Sequence, residues 1–263
     1  IDSDARPDLI RELVRRRAML LYRPTRRPTE SYFKPVVSYD VALEEDKMRT
    51  HVICLALAMV LLCRYAIADW SQTNASKIGT VYRFVVSGTN LFAGTDVGVF
   101  LSTDNGTSWT ATNNGLPTNA PVLAFAVSGT NLFAGTYPAG AFLSSDNGGS
   151  WSKVNTGLTN LGIFSLVLSS TSLFAGTYGG GVFRSSDNGG SWTAVNSGLG
   201  DTVVYALVVC GANFFAGTNS SGVFRSTDNG SSWTEMNSGL TDKYITSFAV
   251  SGTDFFVGTS KGV

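Results

Sequence analysis

From about residue 80 onward, apolar and polar positions alternate in short runs separated by Gly, Asn and Ser. This is the pattern of half-buried strands joined by tight turns. Val203–Val209, Asn213–Thr218, Gly222–Ser226 and Trp233–Asn237 read as four successive strands, A to D. Strand A alternates in size as well as in polarity. Tyr82/Phe84, Leu123/Phe125, Phe164/Leu166, Tyr205/Leu207 and Thr246/Phe248 carry one side, and Ala124/Ala126, Ser165/Val167, Ala206/Val208 and Ser247/Ala249 the other. A bulky face on one sheet can then pack on the small face of its neighbour, burying both. Arg83 is the outlier, standing where a small residue is expected.

Self-comparison explains why the pattern recurs. Phe-x-Gly-Thr has its glycine at Gly94, Gly135, Gly176, Gly217 and Gly258, spaced 41 residues apart throughout. A second pattern, Ser-x-Asp-x-Gly-x-Ser-Trp, occupies Ser102–Trp109, Ser144–Trp151, Ser185–Trp192 and Ser226–Trp233, with its aspartates 42, 41 and 41 residues apart. Four short antiparallel strands in 41 residues make one propeller blade. Within the second pattern, the Asp and Ser side chains are expected to accept backbone N–H groups across a tight turn, and the Gly to supply a positive φ. The Trp ring is expected to lie beneath the turn and pin strand D to strand C. One carboxylate per turn is too few oxygens for calcium.

Composition divides the 263-residue chain. All 29 glycines lie at Gly79 or later, and the lone His51 and two of three cysteines lie before residue 64. A Ser-His-Asp triad, a histidine zinc site and an internal disulfide are thereby excluded from the repeats. Met-Arg-Thr-His at 48–51, an uncharged run Val52–Cys63 and Ala66-Ile67-Ala68 form the three parts of a secretory signal peptide over 48–68, with cleavage expected after Ala68. The apolar run is too short to span a bilayer. Residues 1–47 are Pro-broken and arginine-rich and are read as a poorly structured upstream segment outside the working protein. Residues 69–263 hold seven basic and ten acidic residues, a net charge of −3, which argues against nucleic acid as partner.

Ser226-Thr-Asp228-Asn-Gly230-Ser-Ser232-Trp233 and its three siblings resemble the Asp-box, or bacterial neuraminidase repeat. In full these are Ser102, Asp104, Gly106 and Trp109; Ser144, Asp146, Gly148 and Trp151; Ser185, Asp187, Gly189 and Trp192; and Ser226, Asp228, Gly230 and Trp233. The resemblance covers 70–263, within a propeller domain set at 69–263, and takes in sialidases, xyloglucan-degrading glycosidases, sortilin-type receptors and photosystem II assembly factor-like propellers. It implies an all-β propeller of four-stranded blades with the boxes on the outer rim, but no particular activity. Four to five blades are visible. A lone strand D at Trp70–Asn74 either completes the last blade of a five-bladed ring or belongs to a larger ring; the mid-strand stop at Val263 favours the larger ring.

Catalytic residues are not evident. A sialidase needs an arginine cluster, a Tyr–Glu pair and an acid, yet only Arg83, Arg184 and Arg225 follow residue 68, and Glu235 is the only glutamate there. No metal or cofactor is implied. The repeats differ chiefly in the B–C loops and D–A linkers, which share one face. The ligand-face candidates are Asp96, Tyr137, Tyr178, Asn219 and Lys261 in the loops, and Asp201, Asp242, Lys243 and Tyr244 in the linkers. Variation on one rim of a repeat scaffold suits a recognition surface, and tyrosines there can stack on sugar rings or anchor a protein segment. The expected function is a secreted or cell-envelope, non-catalytic binding module for a glycan or an extracellular protein. The alternatives are a fragment of a sialidase-like or xyloglucanase-like hydrolase and an assembly-factor-like chaperone. The exported protein should begin at Asp69, which N-terminal sequencing checks directly; a start at any other residue removes the assigned cleavage site.

Overall fold

Short alternating runs cut by positive-φ turns leave each chain segment one route, back along its neighbour as a meander. The computed structural model describes residues 78–169, 172–251 and 254–263. The expected upstream segment 1–47, the signal segment 48–68 and the lone strand at 70–74 lie outside the described residues.

The first blade is β1 (Val81–Ser87), β2 (Asn90–Thr95), β3 (Gly98–Ser102) and β4 (Thr110–Ala111). The second is β5 (Val122–Ser128), β6 (Asn131–Thr136), β7 (Gly140–Ser144) and β8 (Ser152–Lys153). The third comprises β9 (Ile163–Leu168), β10 (Leu173–Thr177), β11 (Val182–Ser185) and β12 (Thr193–Ala194). The fourth comprises β13 (Val204–Cys210), β14 (Asn213–Thr218), β15 (Val223–Ser226) and β16 (Thr234–Glu235). A last pair, β17 (Ile245–Ser251) and β18 (Asp254–Thr259), begins a fifth. Each sheet is a simple antiparallel meander, and the first strands adjoin in series: β1 on β5, β5 on β9, β9 on β13, β13 on β17.

The core lies between blades. Ala124, Ala126 and Phe133 of the second blade pack on Ile163, Leu166 and Leu173 of the third. The glycine of Phe-x-Gly-Thr makes this close approach possible. A Cβ at Gly94, Gly135, Gly176 or Gly217 would fall within 3.0 Å of the side chain of Val122, Ile163, Val204 or Ile245 on the next blade. Four junctions are therefore roofed in the same way by a β-branched residue.

The tryptophans hold the same junctions from outside, and this differs from the expected C-to-D pin within a blade. The indole Nε1 of Trp151 donates to the Thr112 carbonyl, that of Trp192 to Val154, and that of Trp233 to Val195, each at 2.8 Å and each on the preceding blade. The backbone N–H of the same residues donates to Asn114, Thr156 and Ser197 at 2.8 Å. The ring thus crosses the junction because strand D is only two residues long, and the residues that follow it offer their carbonyls to the next turn rather than to a fifth strand. Gly115, Gly157 and Gly198 seat the Trp backbone; a Cβ there would meet the Trp carbonyl oxygen well inside contact distance.

Trp192→Phe keeps an aromatic ring but removes the donor to Val154. It should cost about 1–3 kcal/mol in urea unfolding for the orphaned carbonyl, and Trp192→Ala about 3–5 kcal/mol. A Trp192→Phe protein as stable as the parent would remove the indole clasp from the account.

Candidate functional site

The Ser-x-Asp-x-Gly-x-Ser turn is self-contained chemistry. In the first copy Ser102 Oγ donates to Asp104 Oδ1 at 2.7 Å and accepts from Gly106 N at 2.8 Å. Ser108 donates to the same carboxylate through N at 2.8 Å and through Oγ at 2.6 Å. The other three copies repeat these bonds between the corresponding residues. Asn105, Asn147, Asn188 and Asn229 have φ of 56–58° and precede glycines with φ of 82–87°. The turn therefore needs a left-handed Asn as well as a Gly. Donation by Ser108 Oγ, then its N–H, holds the Asp104 carboxyl down at about 2; Asp146, Asp187 and Asp228 are also lowered to about 2, first by the hydroxyls of Ser150, Ser191 and Ser232. Within each turn the two serine hydroxyls, the aspartate carboxylate and the Gly and Ser amides bond one another.

The opposite, loop-bearing face is built differently. The Thr of Phe-x-Gly-Thr closes each B–C loop: Thr136 Oγ1 donates to Gly140 O at 2.8 Å and Thr218 Oγ1 to Gly222 O at 2.8 Å. An Asn at the end of strand D closes it from outside, as Asn155 Oδ1 accepts from Ala141 N at 2.7 Å and its amide donates to Ala139 O at 2.8 Å. Between these staples stand the residues that vary.

A bulge aims the inner strands at this face. The register of the A–B pair slips between Val81 and Arg83, Val122 and Ala124, Val204 and Ala206, and Ile245 and Ser247, with the matching slip of the third blade at Gly176/Thr177. The extra residue is Tyr82, Leu123, Tyr205 or Thr246, and Phe164 holds the same place in the third blade. Bulges re-aim side chains, so these residues leave the bulky strand-A face to which the simple alternation assigned them. Leu123, Phe164 and Tyr205 instead form a cluster with Tyr82, Tyr137, Tyr178, Val203 and Tyr244. Ring centroids run Tyr137–Tyr178 6.1 Å, Tyr178–Phe164 5.6 Å, Phe164–Tyr205 5.4 Å and Tyr205–Tyr244 5.3 Å. Such contacts contribute about 0.5–1.5 kcal/mol each beyond burial. Burial, then the neighbouring Tyr244, pushes the Tyr205 phenol well above its usual range, so it stays protonated and donates to Asn219 Oδ1 at 3.2 Å.

Three tyrosines named from sequence, Tyr137, Tyr178 and Tyr244, are thus brought together half-buried, with Asn219 beside them. The carboxylates clasp linker to loop. Asp201 accepts from Val203 N at 2.9 Å and from Ser220 N and Oγ at 2.8 Å. Asp242 accepts from Tyr244 N at 3.1 Å and from Ser260 Oγ, the hydroxyl being the main cause of its lowered pKa. Asp96 accepts from Thr80 N at 2.9 Å. Lys243 lies apart in an exposed ion pair with Glu235 at 3.2 Å, and the exposed Lys261 donates its backbone N–H to Thr259 Oγ1. Sequence reasoning missed Phe164 and Tyr205 as the centre of this surface. The usable signal was their place as the first bulky strand-A residue, next to the loops.

The family model of the DUF6242 beta propeller domain matches residues 69–204, just over half of the chain. The chain belongs to this family. No curated protein sequence matches it. Solved structures similar to this DUF6242 propeller include YCF48 bound to D1 peptide, at 15% identity and TM-score 0.57 over 73% of this chain and 65% of that one. Another is the GH74 enzyme of Niastella koreensis, at 22% and 0.53 over 73% and 31%. A third is the extracellular domain of BT4673 from B. thetaiotaomicron, a two component system by its description, at 20% and 0.56 over 68% and 25%. At these identities the likeness carries the fold alone. The chain spans between a quarter and about two thirds of their lengths. Among the described residues no helix is long and apolar enough to cross a membrane, and no three His, Cys, Asp or Glu side chains gather as a metal site.

The lowered turn aspartates set an acid limit. Their contribution to stability is present in full above the unfolded-state value of ~4 and is lost as pH falls toward their folded value of about 2. The melting temperature should therefore drop over that window. Asp187→Asn should lower it at pH 7 yet converge on the parent near pH 2; a constant offset at both pH values would contradict the assignment.

Proposed function

We propose that this DUF6242 propeller is an exported, non-catalytic binding module of the Asp-box class, whose ligand is a glycan or a segment of an extracellular protein. The observation that carries the reading is the run of five aromatic rings from Tyr137 to Tyr244, fed by two first strands, two variable loops and one linker onto a single face. Flat, half-buried tyrosines present a large contact area with few rotatable bonds, which suits stacking on a sugar ring or gripping an apolar side chain. The stapled loops hold the rings in place before a ligand arrives, so little ordering entropy opposes binding. The similarity to YCF48 bound to D1 peptide supports a role in recognition, and the signal-like segment 48–68 supports export.

The hydrolase alternative draws on no feature of this surface. Among the described residues, Asp96, Asp201 and Asp242 are tied into loop clasps by neutral donors, and Glu235 is held in an exposed ion pair with Lys243.

Tyr137→Ala and Tyr178→Ala should keep the circular dichroism spectrum of the parent. On a glycan array and a peptide array each should lose the parent's positive features by about tenfold or more, the loss typical of an anchoring aromatic residue. A parent that binds neither array, or variants that bind as the parent does, would overturn the reading.

A further inference from the structure

The tyrosine face carries a charge that the fold does not require. Asp201 stands in the linker before the fourth blade, with Asn160 one repeat of 41 residues earlier and Asp242 one repeat later. All three make the same bond. Asn160 Oδ1 accepts from Gly162 N at 3.0 Å, Asp201 Oδ1 from Val203 N at 2.9 Å, and Asp242 Oδ1 from Tyr244 N at 3.1 Å. A neutral amide therefore suffices for this clasp, and at Asn160 it also donates to the Tyr178 carbonyl at 2.7 Å. The carboxylate of Asp201 brings a negative charge to a place where the clasp works without one.

The hydrogen-bond partners of Asp201 among the described residues, Val203 N and Ser220 N and Oγ, are all neutral. The lysines of this face are engaged elsewhere. Lys243 pairs with Glu235 at 3.2 Å. Lys261 acts on Asp242, whose pKa is lowered first by the Ser260 hydroxyl, then by the Tyr244 N–H, and further by the lysine charge. The rings, by contrast, stand against Asp201. An antiparallel bridge joins Tyr178 to Val203, and Gly179 N donates to the Thr202 carbonyl at 3.0 Å, so the third-blade loop lies along the linker that holds the carboxylate. Ser220, which Asp201 grips, follows Asn219, the acceptor of the Tyr205 hydroxyl. Burial first, then Tyr244 and Tyr178, and after them the Asp201 charge raise the Tyr205 phenol above its usual range. An aromatic face is itself a region of negative potential. Half-buried tyrosines beside a carboxylate with neutral partners repel anions and attract a compact cation.

We propose, resting on the binding role argued above, that the tyrosine face takes a basic segment of an extracellular protein, with a lysine or arginine side chain set between the Tyr178 ring and the Asp201 carboxylate. The rings supply cation–π attraction and cover the alkyl stem, and Asp201 supplies the counter-charge. Charge complementarity selects this occupant. A neutral sugar can stack on the same tyrosines but draws nothing from the carboxylate, and an acidic one is repelled by it. Asp201 is then the residue that sets specificity, while the tyrosines set the place.

The test titrates the full chain with a peptide of alternating lysine and glycine, and with the same peptide acetylated on every lysine, by calorimetry. The parent should bind the cationic peptide about tenfold or more tightly than the acetylated one. Asp201→Asn keeps the acceptor for Val203 N, as Asn160 does for Gly162 N, so it should melt as the parent does and bind the cationic peptide about threefold to tenfold more weakly. Asp254→Asn removes an equal charge from an exposed position at the β17–β18 turn, at the opposite end of the blade, and should bind as the parent does. Tyr178→Ala leaves the Asp201 clasp in place and should weaken the cationic peptide by about fivefold or more, which decides the matter if Asp201→Asn melts early. Equal binding of the two peptides, or equal losses in Asp201→Asn and Asp254→Asn, would overturn the proposal. An uncharged glycan that Tyr178→Ala releases and Asp201→Asn still holds, with the cationic peptide unbound, would overturn it and leave the binding role standing. A parent that binds neither peptide nor any glycan would overturn both.

Discussion

Bare glycine opposed by a β-branched side chain, four times over, is the contact on which the rest of the fold depends. With no Cβ at Gly94, Gly135, Gly176 and Gly217, the next blade's first strand can approach until its valine or isoleucine fills the space. That approach brings the tryptophan of the next turn within reach of the preceding blade's carbonyls, at 2.8 Å in three consecutive junctions. Individual blades bury little by themselves. Each junction buries both of its partners, so stability accrues blade by blade in the manner of a repeat array.

The same economy separates the repeated scaffold from the variable loop-bearing face. The Ser-x-Asp-x-Gly-x-Ser turns satisfy their own polar groups and clamp the outside of the arc. On the other face, a Thr hydroxyl closes every loop and an Asn amide the first four, which frees the residue after each Thr to differ: Asp96, Tyr137, Tyr178, Asn219 and Ser260. The strand-A bulge then adds a second ring of variable side chains beneath them. Function on such a scaffold is a matter of which side chains occupy a few interchangeable places, and here aromatic residues occupy most of them over the middle blades.

Much of this was legible in the sequence because the repeat is loud. Strand B was placed residue for residue at Asn213–Thr218, and strands A and C to within one residue. Strand D was read too long at both ends: Trp233 turns its N–H to the Ser197 carbonyl of the preceding blade, and Asn237 meets the Val223 amide with its side chain rather than its backbone. The tryptophan's partner was misassigned for a physical reason. Self-comparison aligns the blades with one another but says nothing about which atoms meet across a junction. The bulge was equally hidden, because Tyr82 and Phe84 alternate on paper as though the strand were regular. Asp201 and Asp242 fell into the variable linkers, and the serines that clasp them, Ser220 and Ser260, lie 19 and 18 residues away.

The central claim, that the blades are held together across junctions rather than each within itself, is tested most directly by native-state hydrogen exchange of the indole N–H groups. Trp151, Trp192 and Trp233 should exchange together, at the free energy of global unfolding, because opening any one junction exposes both of its blades. Indole exchange that is fast for all three, or that spreads over three unrelated free energies while the strand amides remain protected, would contradict it.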